Sequence, residues 1–369
     1  MKKNVILTII AGIVVIAVIF VAGSSDNRKD SNTIKIGSVS ALTGDGAVYG
    51  EVSKRGLDIA VEEINAAGGM NGKKIEMVYE DGKCDGKTAL NGAQKLHGQG
   101  IDILLGVTCS GEVLSIAPFA EQNKMVLISP TGSNPDITKA GDYIFRNNPS
   151  DAGRSVVFVQ KILNLGYKNV AIISEQTDFS QGLRKSIIEE ANKKGLKVVF
   201  DEVFDKDSKD FRTTLSKLKN TQADALILLP QTDVTMVSLC SQAYQLGIRL
   251  PTFVAGEQMT AKTEQALGSI VKGIYVVEAP SLDSGNEMAN KLLAKYKAKY
   301  GQPTLDFYIA ASYDNAYLIK KAIEIAGSDD STKVKNALYK IKDFKGTIGT
   351  YSFDSNGDIQ GVGFVVNQR

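Results

Sequence analysis

The sequence predicts an α/β protein built from two doubly wound parallel-sheet lobes. Short apolar runs with the length of buried strands alternate with segments whose apolar residues recur every three to four positions. The alternation restarts near residue 151, so a second, similar set of strands and helices follows the first. The chain has 369 residues, of which 43% are hydrophobic, and this is sufficient for two cores. We therefore expect parallel strands joined by right-handed helical crossovers in each lobe.

The first half predicts four strands separated by three helices. Residues 103–107 form an apolar run that is too short for a buried helix. Ser110 then begins a helix that carries Val113, Leu114 and Ala117 on one face. The predicted strands are 34–39, 75–79, 101–105 and 125–129, and the predicted helices are 51–67, 85–96 and 110–122.

The second half repeats the pattern and adds helices and a β-rich C-terminus. The repeated part has predicted helices at 151–165, 181–194, 211–218 and 234–246, with strands at 169–174, 198–200, 225–229, 252–255 and 274–277. After Pro280 the helical period returns at 287–300, 307–326 and 334–341. The last residues favour a hairpin, with strands 349–353 and 361–366 around a polar turn at 354–358.

The N-terminus has the pattern of an export segment. Lys2 and Lys3 precede an apolar run at residues 5–22, and small residues follow it, as in a secretory signal. The run is also long enough to span a membrane. Residues 1–23 are therefore either a cleaved signal or a retained anchor, and residues 24–33 a linker. Both alternatives place the body outside the cytoplasm, and the lack of a cysteine after the run does not support a lipid anchor.

The charge balance argues against nucleic-acid binding. The formal net charge is +2, from 43 basic and 41 acidic residues. Both excess charges lie in the export segment, at Lys2 and Lys3, so the remaining chain is electrically balanced. A nucleic-acid-binding domain would need a basic face, and no run of lysines or arginines occurs.

The usual components of catalysis are missing from the sequence. The single histidine, His97, is far in sequence from the serine-rich loops and is interpreted as a surface residue, because a catalytic base must reach its nucleophile. No cysteine and histidine group has zinc-site spacing. The glycines of residues 44–50 depart from the dinucleotide fingerprint in spacing and in distance from the preceding strand. We expect no catalytic residues, no metal and no cofactor, and hence not an enzyme.

Two of the three cysteines are predicted to form a disulfide. Cysteines of an exported chain usually pair in even numbers, although three unpaired thiols remain an alternative. Cys84 and Cys109 each follow a predicted strand of the first lobe, so one edge of the sheet would bring them together. Cys240 falls within a predicted helix and is interpreted as a buried free thiol.

Four polar residues after predicted strands form a candidate ligand site. Ligands of open parallel sheets bind at the carboxyl ends of the strands. Ser110 begins a helix, where free N–H groups favour a carboxylate, and Thr131 and Ser133 lie in the loop after the neighbouring strand. Glu257 follows a strand of the second lobe and could face this loop across a cleft. Taken individually, Ser110 is explained as a helix cap, Ser133 as a turn residue and Glu257 as a solvated surface acid. Taken together, the four residues suit a zwitterionic ligand.

Motifs in a fixed order resemble one family over residues 34–366, the type I periplasmic solute-binding proteins of branched-chain amino-acid transporters. These are the leucine/isoleucine/valine-binding proteins. The motifs that carry the resemblance are residues 36–44, 63–69, Cys84 with Cys109 and Ser110, and residues 127–130, 133–135, 181–182, 256–257 and 313–315.

The resemblance assigns roles to individual residues. It implies a disulfide between Cys84 and Cys109, a carboxylate contact at Ser110, loop contacts at Thr131, Gly132 and Ser133, an ammonium contact at Glu257, and aromatic contacts at Tyr49 and Phe179. The family often has tyrosine where Phe179 stands, small alanines where Thr131 and Gly132 stand, and a further aromatic where residues 231–233 read Gln-Thr-Asp. The backbone-binding part of the site is thus matched better than the side-chain pocket.

The resemblance also implies a hinged clamp. Three crossings between lobes would lie near residues 146–151, 277–280 and 345–349, so that lobe 1 comprises 34–150 and 281–344 and lobe 2 comprises 151–280 and 345–369. The protein would capture an aliphatic amino acid as a monomer and deliver it to the membrane permease of an ABC importer. The alternative is an exported sensor that binds the same ligand and reports to a signalling partner.

Overall fold

The first of two parallel sheets is built from residues 33–146 of the computed structural model, which describes residues 32–369. Its strand order is β2-β1-β3-β4-β5. The strands are β1 (Thr33–Ser40), β2 (Lys74–Asp81), β3 (Ile103–Leu105), β4 (Val126–Ser129) and β5 (Ile144–Arg146), and the helices between them are α1 (Ala47–Ala66), α2 (Gly86–Gly98) and α3 (Ser110–Asn123). Since β3 and β4 are buried on both faces, they consist almost entirely of apolar residues.

The second sheet has the order β14-β10-β9-β8-β6-β7. Its strands are β6 (Asn169–Glu175), β7 (Lys197–Phe204), β8 (Ala225–Leu229), β9 (Thr252–Ala255), β10 (Tyr275–Glu278) and β14 (Val365–Gln368). The helices between them are α4 (Asp151–Asn164), α5 (Asp178–Lys194), α6 (Arg212–Leu218), α7 (Asp233–Gln245) and α8 (Ala261–Leu267). Only β14 is antiparallel to its neighbour, β10.

Both sheets have the same strand arrangement. In each, the first strand lies between the second and the third, and the fourth and fifth follow on the side of the third. Successive connections therefore run first toward one edge of the sheet and then toward the other. The switch lies between β1 and β3 in the first sheet and between β6 and β8 in the second. Crevices at the carboxyl ends of such strands are the usual ligand sites of open α/β sheets. The predicted fold class, with two parallel sheets in a doubly wound arrangement, is confirmed.

Three later helices pack in the first core. They are α9 (Glu287–Tyr300), α10 (Asp306–Ala326) and α11 (Ser331–Leu338). Helix α10 lies against α1, where Ser312 Oγ donates a hydrogen bond to Ser53 Oγ at 3.0 Å. A Cβ on Gly56 would lie 2.4 Å from the carbonyl oxygen of Ile309, so only glycine permits this close helix approach.

A small antiparallel sheet follows the helices. Its strands are β11 (Phe344–Gly346), β12 (Gly349–Phe353) and β13 (Ile359–Gln360). Their buried apolar side chains also join the first core. The chain then reaches the second sheet through β14.

Several elements differ from the sequence-based expectations. The hairpin turn at residues 354–358 exists, but β12 pairs with β13, so the predicted partner strand 361–366 is wrong. Strand β5 and helix α8 were not predicted, and α5 begins three residues before the expected position. The predicted export segment lies outside the described residues. Within the part of the chain that the structure describes, no helix is both long enough and apolar enough to cross a membrane.

Candidate functional site

The loops at the carboxyl ends of both sheets line one shared cavity. Its walls come from the segments after β1, β3 and β4 of the first sheet, from those after β6, β8 and β9 of the second, and from the start of α10. The lining residues are Tyr49, Thr108, Cys109, Ser110, Thr131, Ser133, Phe179, Gln231, Glu257, Gln258 and Tyr308.

Six of the seven predicted ligand-binding residues line this cavity: Tyr49, Ser110, Thr131, Ser133, Phe179 and Glu257. Gly132 does not, although it lies between two residues that do. Its N–H donates to Ser129 Oγ at 2.9 Å, and a Cβ at this position would lie 2.8 Å from the same oxygen. Gly132 therefore shapes the loop after β4. His97 lies elsewhere and pairs with Asp102.

The start of α3 is organised around a buried glutamate. Glu112 accepts hydrogen bonds from the backbone N–H groups of Cys109 at 2.9 Å and Cys84 at 3.0 Å, and from the hydroxyl of Thr108 at 2.9 Å. Burial raises its pKa to about 7, although these hydrogen bonds oppose the shift. The predicted disulfide between Cys84 and Cys109 is confirmed and joins the same two segments. Cys240 is a buried free thiol, as expected.

The serine-rich wall is already hydrogen-bonded within itself. Ser110 Oγ accepts from the N–H groups of Ser133, at 3.3 Å, and Asn134, at 3.2 Å. Thr131 donates its hydroxyl proton to the carbonyl of Thr108. Ser133 Oγ donates to Asp151 Oδ2 at 2.8 Å. These contacts fix the hydroxyls of Ser110, Thr131 and Ser133 at one end of the cavity, at the start of α3.

The opposite wall contains a buried charge network that sequence reasoning did not find. Glu257 forms a bidentate ion pair with Arg154, with Nη1 2.7 Å from Oε2, and accepts the hydroxyl of Tyr308 at 2.6 Å. Burial alone would raise the pKa of Glu257, but the charge of Arg154 and these hydrogen bonds outweigh it and lower the pKa. Glu257 is therefore an anionic group on the cavity wall.

Asp151 contacts the other side of the same arginine. Its Oδ1 lies 3.0 Å from Arg154 Nε, in a position without hydrogen-bond geometry. Burial raises the pKa of Asp151 to about 7, against the opposing charge of Arg154, and the nearby charge of Glu257 adds to the increase. The two acids that flank Arg154 consequently have opposite pKa shifts.

Hydrogen bonds also join the two sides of the cavity. Tyr49 Oη donates to the carbonyl oxygen of Gln231 at 3.0 Å, and Asn134 Nδ2 donates to that of Asp178 at 2.6 Å. Tyr49 and Asn134 follow strands of the first sheet, and their partners follow strands of the second. The carboxyl ends of the two sheets therefore face one another across the cavity.

Two α/β units of matching strand order thus share one polar cavity, an arrangement suited to binding a small ligand between them. The chain belongs to the periplasmic-binding-protein family, whose sequence profile matches residues 33–365. This is the family that includes the leucine/isoleucine/valine-binding proteins, as the sequence motifs predict.

Named relatives cover nearly the whole chain. The leucine-, isoleucine-, valine-, threonine- and alanine-binding protein of Pseudomonas aeruginosa is 28% identical over 357 residues, which are 95% of this chain and 93% of that protein. The structure of the leucine-binding protein LivK of Thermotoga maritima is 26% identical, has a TM-score of 0.82, and covers 91% of this chain and 97% of that one. LivJ of Streptococcus pneumoniae, solved with isoleucine, is 27% identical, with a TM-score of 0.79 and coverages of 91% and 100%.

Proposed function

We propose that the protein captures an amino acid outside the cytoplasm and delivers it to an ABC importer, without chemical conversion of the ligand. The observation that carries this proposal is the pairing of two walls in one cavity. The first presents hydroxyl groups and the start of α3 at Ser110, and the second presents the carboxylate of Glu257. Helix N-termini favour carboxylates, and a carboxylate attracts an ammonium group. The named relatives, which bind aliphatic amino acids, threonine or alanine, support the same ligand class.

Capture occurs in this proposal by closure of two lobes on the ligand. Ser110, Thr131 and Ser133 hold the carboxylate on the first lobe, with the hydroxyls of Thr131 and Ser133 turning to it from Thr108 and Asp151. Closure adds Phe179 and Glu257 from the second lobe. Because only the closed state makes both sets of contacts, ligand binding shifts the population toward it.

The lobe boundaries remain a proposal, and packing supports one change to them. Residues 344–360 share the core of the first sheet, whereas β14 joins the second. We therefore propose that the third crossing lies at residues 361–364 instead of 345–349. The other two crossings stay at 146–151 and 277–280.

A thermal-unfolding panel with the twenty amino acids tests the ligand class. A ligand at about 100 times its Kd stabilises the native state by roughly 2.7 kcal/mol, which is a measurable increase in Tm. An increase with one or a few amino acids is expected. No response to any amino acid would refute the proposed function.

Glu257→Gln tests the ammonium contact. Loss of a charge-assisted hydrogen bond should weaken amino-acid binding by about 1.5–3 kcal/mol, or more than tenfold in Kd. The matched control is Glu264→Gln, because Glu264 also pairs with an arginine, Arg369, but does not line the cavity. Unchanged affinity in Glu257→Gln, measured by calorimetry, would contradict the assigned role.

A further inference from the structure

Gln258 carries a buried hydrogen-bond acceptor that the proposed backbone contacts leave unused. This residue directly follows Glu257, is only 1% exposed and lines the cavity. Its Nε2 lies 3.3 Å from the carbonyl oxygen of Gln231 and 3.4 Å from Tyr49 Oη. Within the described residues 32–369, no donor reaches its Oε1.

The orientation of this amide follows from its neighbours. A backbone carbonyl only accepts hydrogen bonds, so the side of the Gln258 amide that faces Gln231 must be the nitrogen. Tyr49 already donates its proton to the same carbonyl and can accept from Nε2. The oxygen of Gln258 is thus the group with unsatisfied hydrogen-bonding capacity.

The surroundings of Gln258 are polar where an aliphatic side chain would need apolar contacts. Besides Tyr49, the cavity wall beside Gln258 includes Gln231, whose carbonyl oxygen lies 3.3 Å from Gln258 Nε2. Phe179 is the one lining side chain that is a pure hydrocarbon, and the rings of Tyr49 and Tyr308 and the disulfide at Cys109 add further apolar surface. A purely aliphatic ligand would leave the Gln258 oxygen buried and unpaired, which is costly.

We propose that Gln258 Oε1 accepts a hydrogen bond from the ligand's side chain, and that the site selects a small amino acid with a side-chain donor over an aliphatic one of the same shape. This inference rests on the proposed amino-acid function, in which Ser110 and Glu257 hold the backbone of the ligand. Gln258 is then a specificity-determining residue. A site with an acceptor in this position discriminates more strongly than an apolar pocket does, because the wrong ligand leaves that acceptor unpaired.

Threonine and valine provide the test, because they have nearly the same shape and differ by a hydroxyl in place of a methyl group. Calorimetry on the wild-type protein should give a Kd for threonine about 5- to 150-fold lower than that for valine, the range expected for one buried hydrogen bond. Serine and alanine form a second pair with the same expected order.

Gln258→Met should remove most of this preference, since methionine has a similar length and no amide oxygen. The threonine affinity should fall and the threonine-to-valine ratio should approach one. Gln160→Met is the matched control, because Gln160 is exposed on α4 and should leave the ratio unchanged.

Two results would overturn the inference. One is equal or tighter binding of valine by the wild-type protein, which would mean that water alone satisfies the Gln258 oxygen. The other is an unchanged ratio in Gln258→Met. The wild-type ratio decides the question even if the variant does not fold. Failure of the proposed function differs from both, because then no amino acid binds to the wild-type protein.

Discussion

Arg154→Met should destabilise the protein strongly, because this arginine is a cation enclosed by two acids. Arg154 is 1% exposed, pairs with Glu257 through both terminal nitrogens and lies 3.0 Å from Asp151. Its guanidinium also stacks 4.5 Å from the ring centroid of Phe364. Methionine fills much of the same volume but leaves the buried carboxylate of Glu257 without its counter-ion.

The size of the effect follows from this burial. Each contact of opposite unit charges about 4 Å apart contributes about 4 kcal/mol at an effective dielectric constant near 20, before the cost of desolvation is subtracted. Removal of one partner of a buried ion pair typically costs about 3–5 kcal/mol, because the remaining charge stays buried. We expect Arg154→Met to lower the free energy of unfolding by that amount.

Urea unfolding followed by circular dichroism measures this change, and Arg184→Met is the matched control. Arg184 also forms a bidentate pair, with Asp201, but its side chain is 25% exposed. A partly exposed pair contributes about 0–1 kcal/mol. A loss in Arg154→Met no greater than in Arg184→Met would refute the reasoning. Adding Glu257→Gln to Arg154→Met should restore part of the stability, because it removes the charge that Arg154→Met leaves unpaired.

Two further predictions concern pH and the disulfide. Burial raises the pKa of Asp151 from 3.8 to about 7, so between these pH values the folded state keeps a proton that the unfolded state has released. The free energy of unfolding therefore falls as pH rises from about 4 to 7. Asp151→Asn should flatten this part of the pH profile of urea unfolding by up to about 4 kcal/mol, and a profile parallel to that of the wild type would contradict it. Replacing Cys84 and Cys109 by alanine opens a loop with a sequence separation of 25 and should cost about 3–4 kcal/mol. Cys240→Ala, at a buried free thiol, should cost much less in the same unfolding assay, and equal losses would argue against a stabilising role for the disulfide.

The repeating part of the fold could be predicted because its signals are local. Buried strands such as β3 and β8 are continuous apolar runs, and the helices between them have a regular apolar period. Strand β5 has only three residues, and its pairing with β4 depends on tertiary contacts that no pattern encodes. The partner of β14 is likewise set by the exposed edge of β10, distant in sequence, so the terminal hairpin was assigned to the wrong segment.

The candidate site was predictable where strand order determines it. Ser110, Thr131 and Ser133 follow neighbouring strands, and the carboxyl ends of parallel strands meet at one edge. Tyr308 reaches the cavity from α10, which comes directly after another helix, α9, and not after a strand. Nothing in its local sequence therefore indicates the contact. Gln258 could have been found, because it follows the same strand as Glu257.

The network around Arg154 links the ligand site to the connection between the two halves of the chain. Asp151 and Arg154 lie in the first turn of α4, directly after the predicted crossing at residues 146–151, and Glu257 lines the cavity. Ser133 joins Asp151 to the serine-rich wall through its hydroxyl. An ammonium group placed at Glu257 would add a positive charge beside Arg154 and favour the ionised form of Asp151. If the proposed ammonium contact holds, ligand charge and the protonation of Asp151 are coupled through these few contacts.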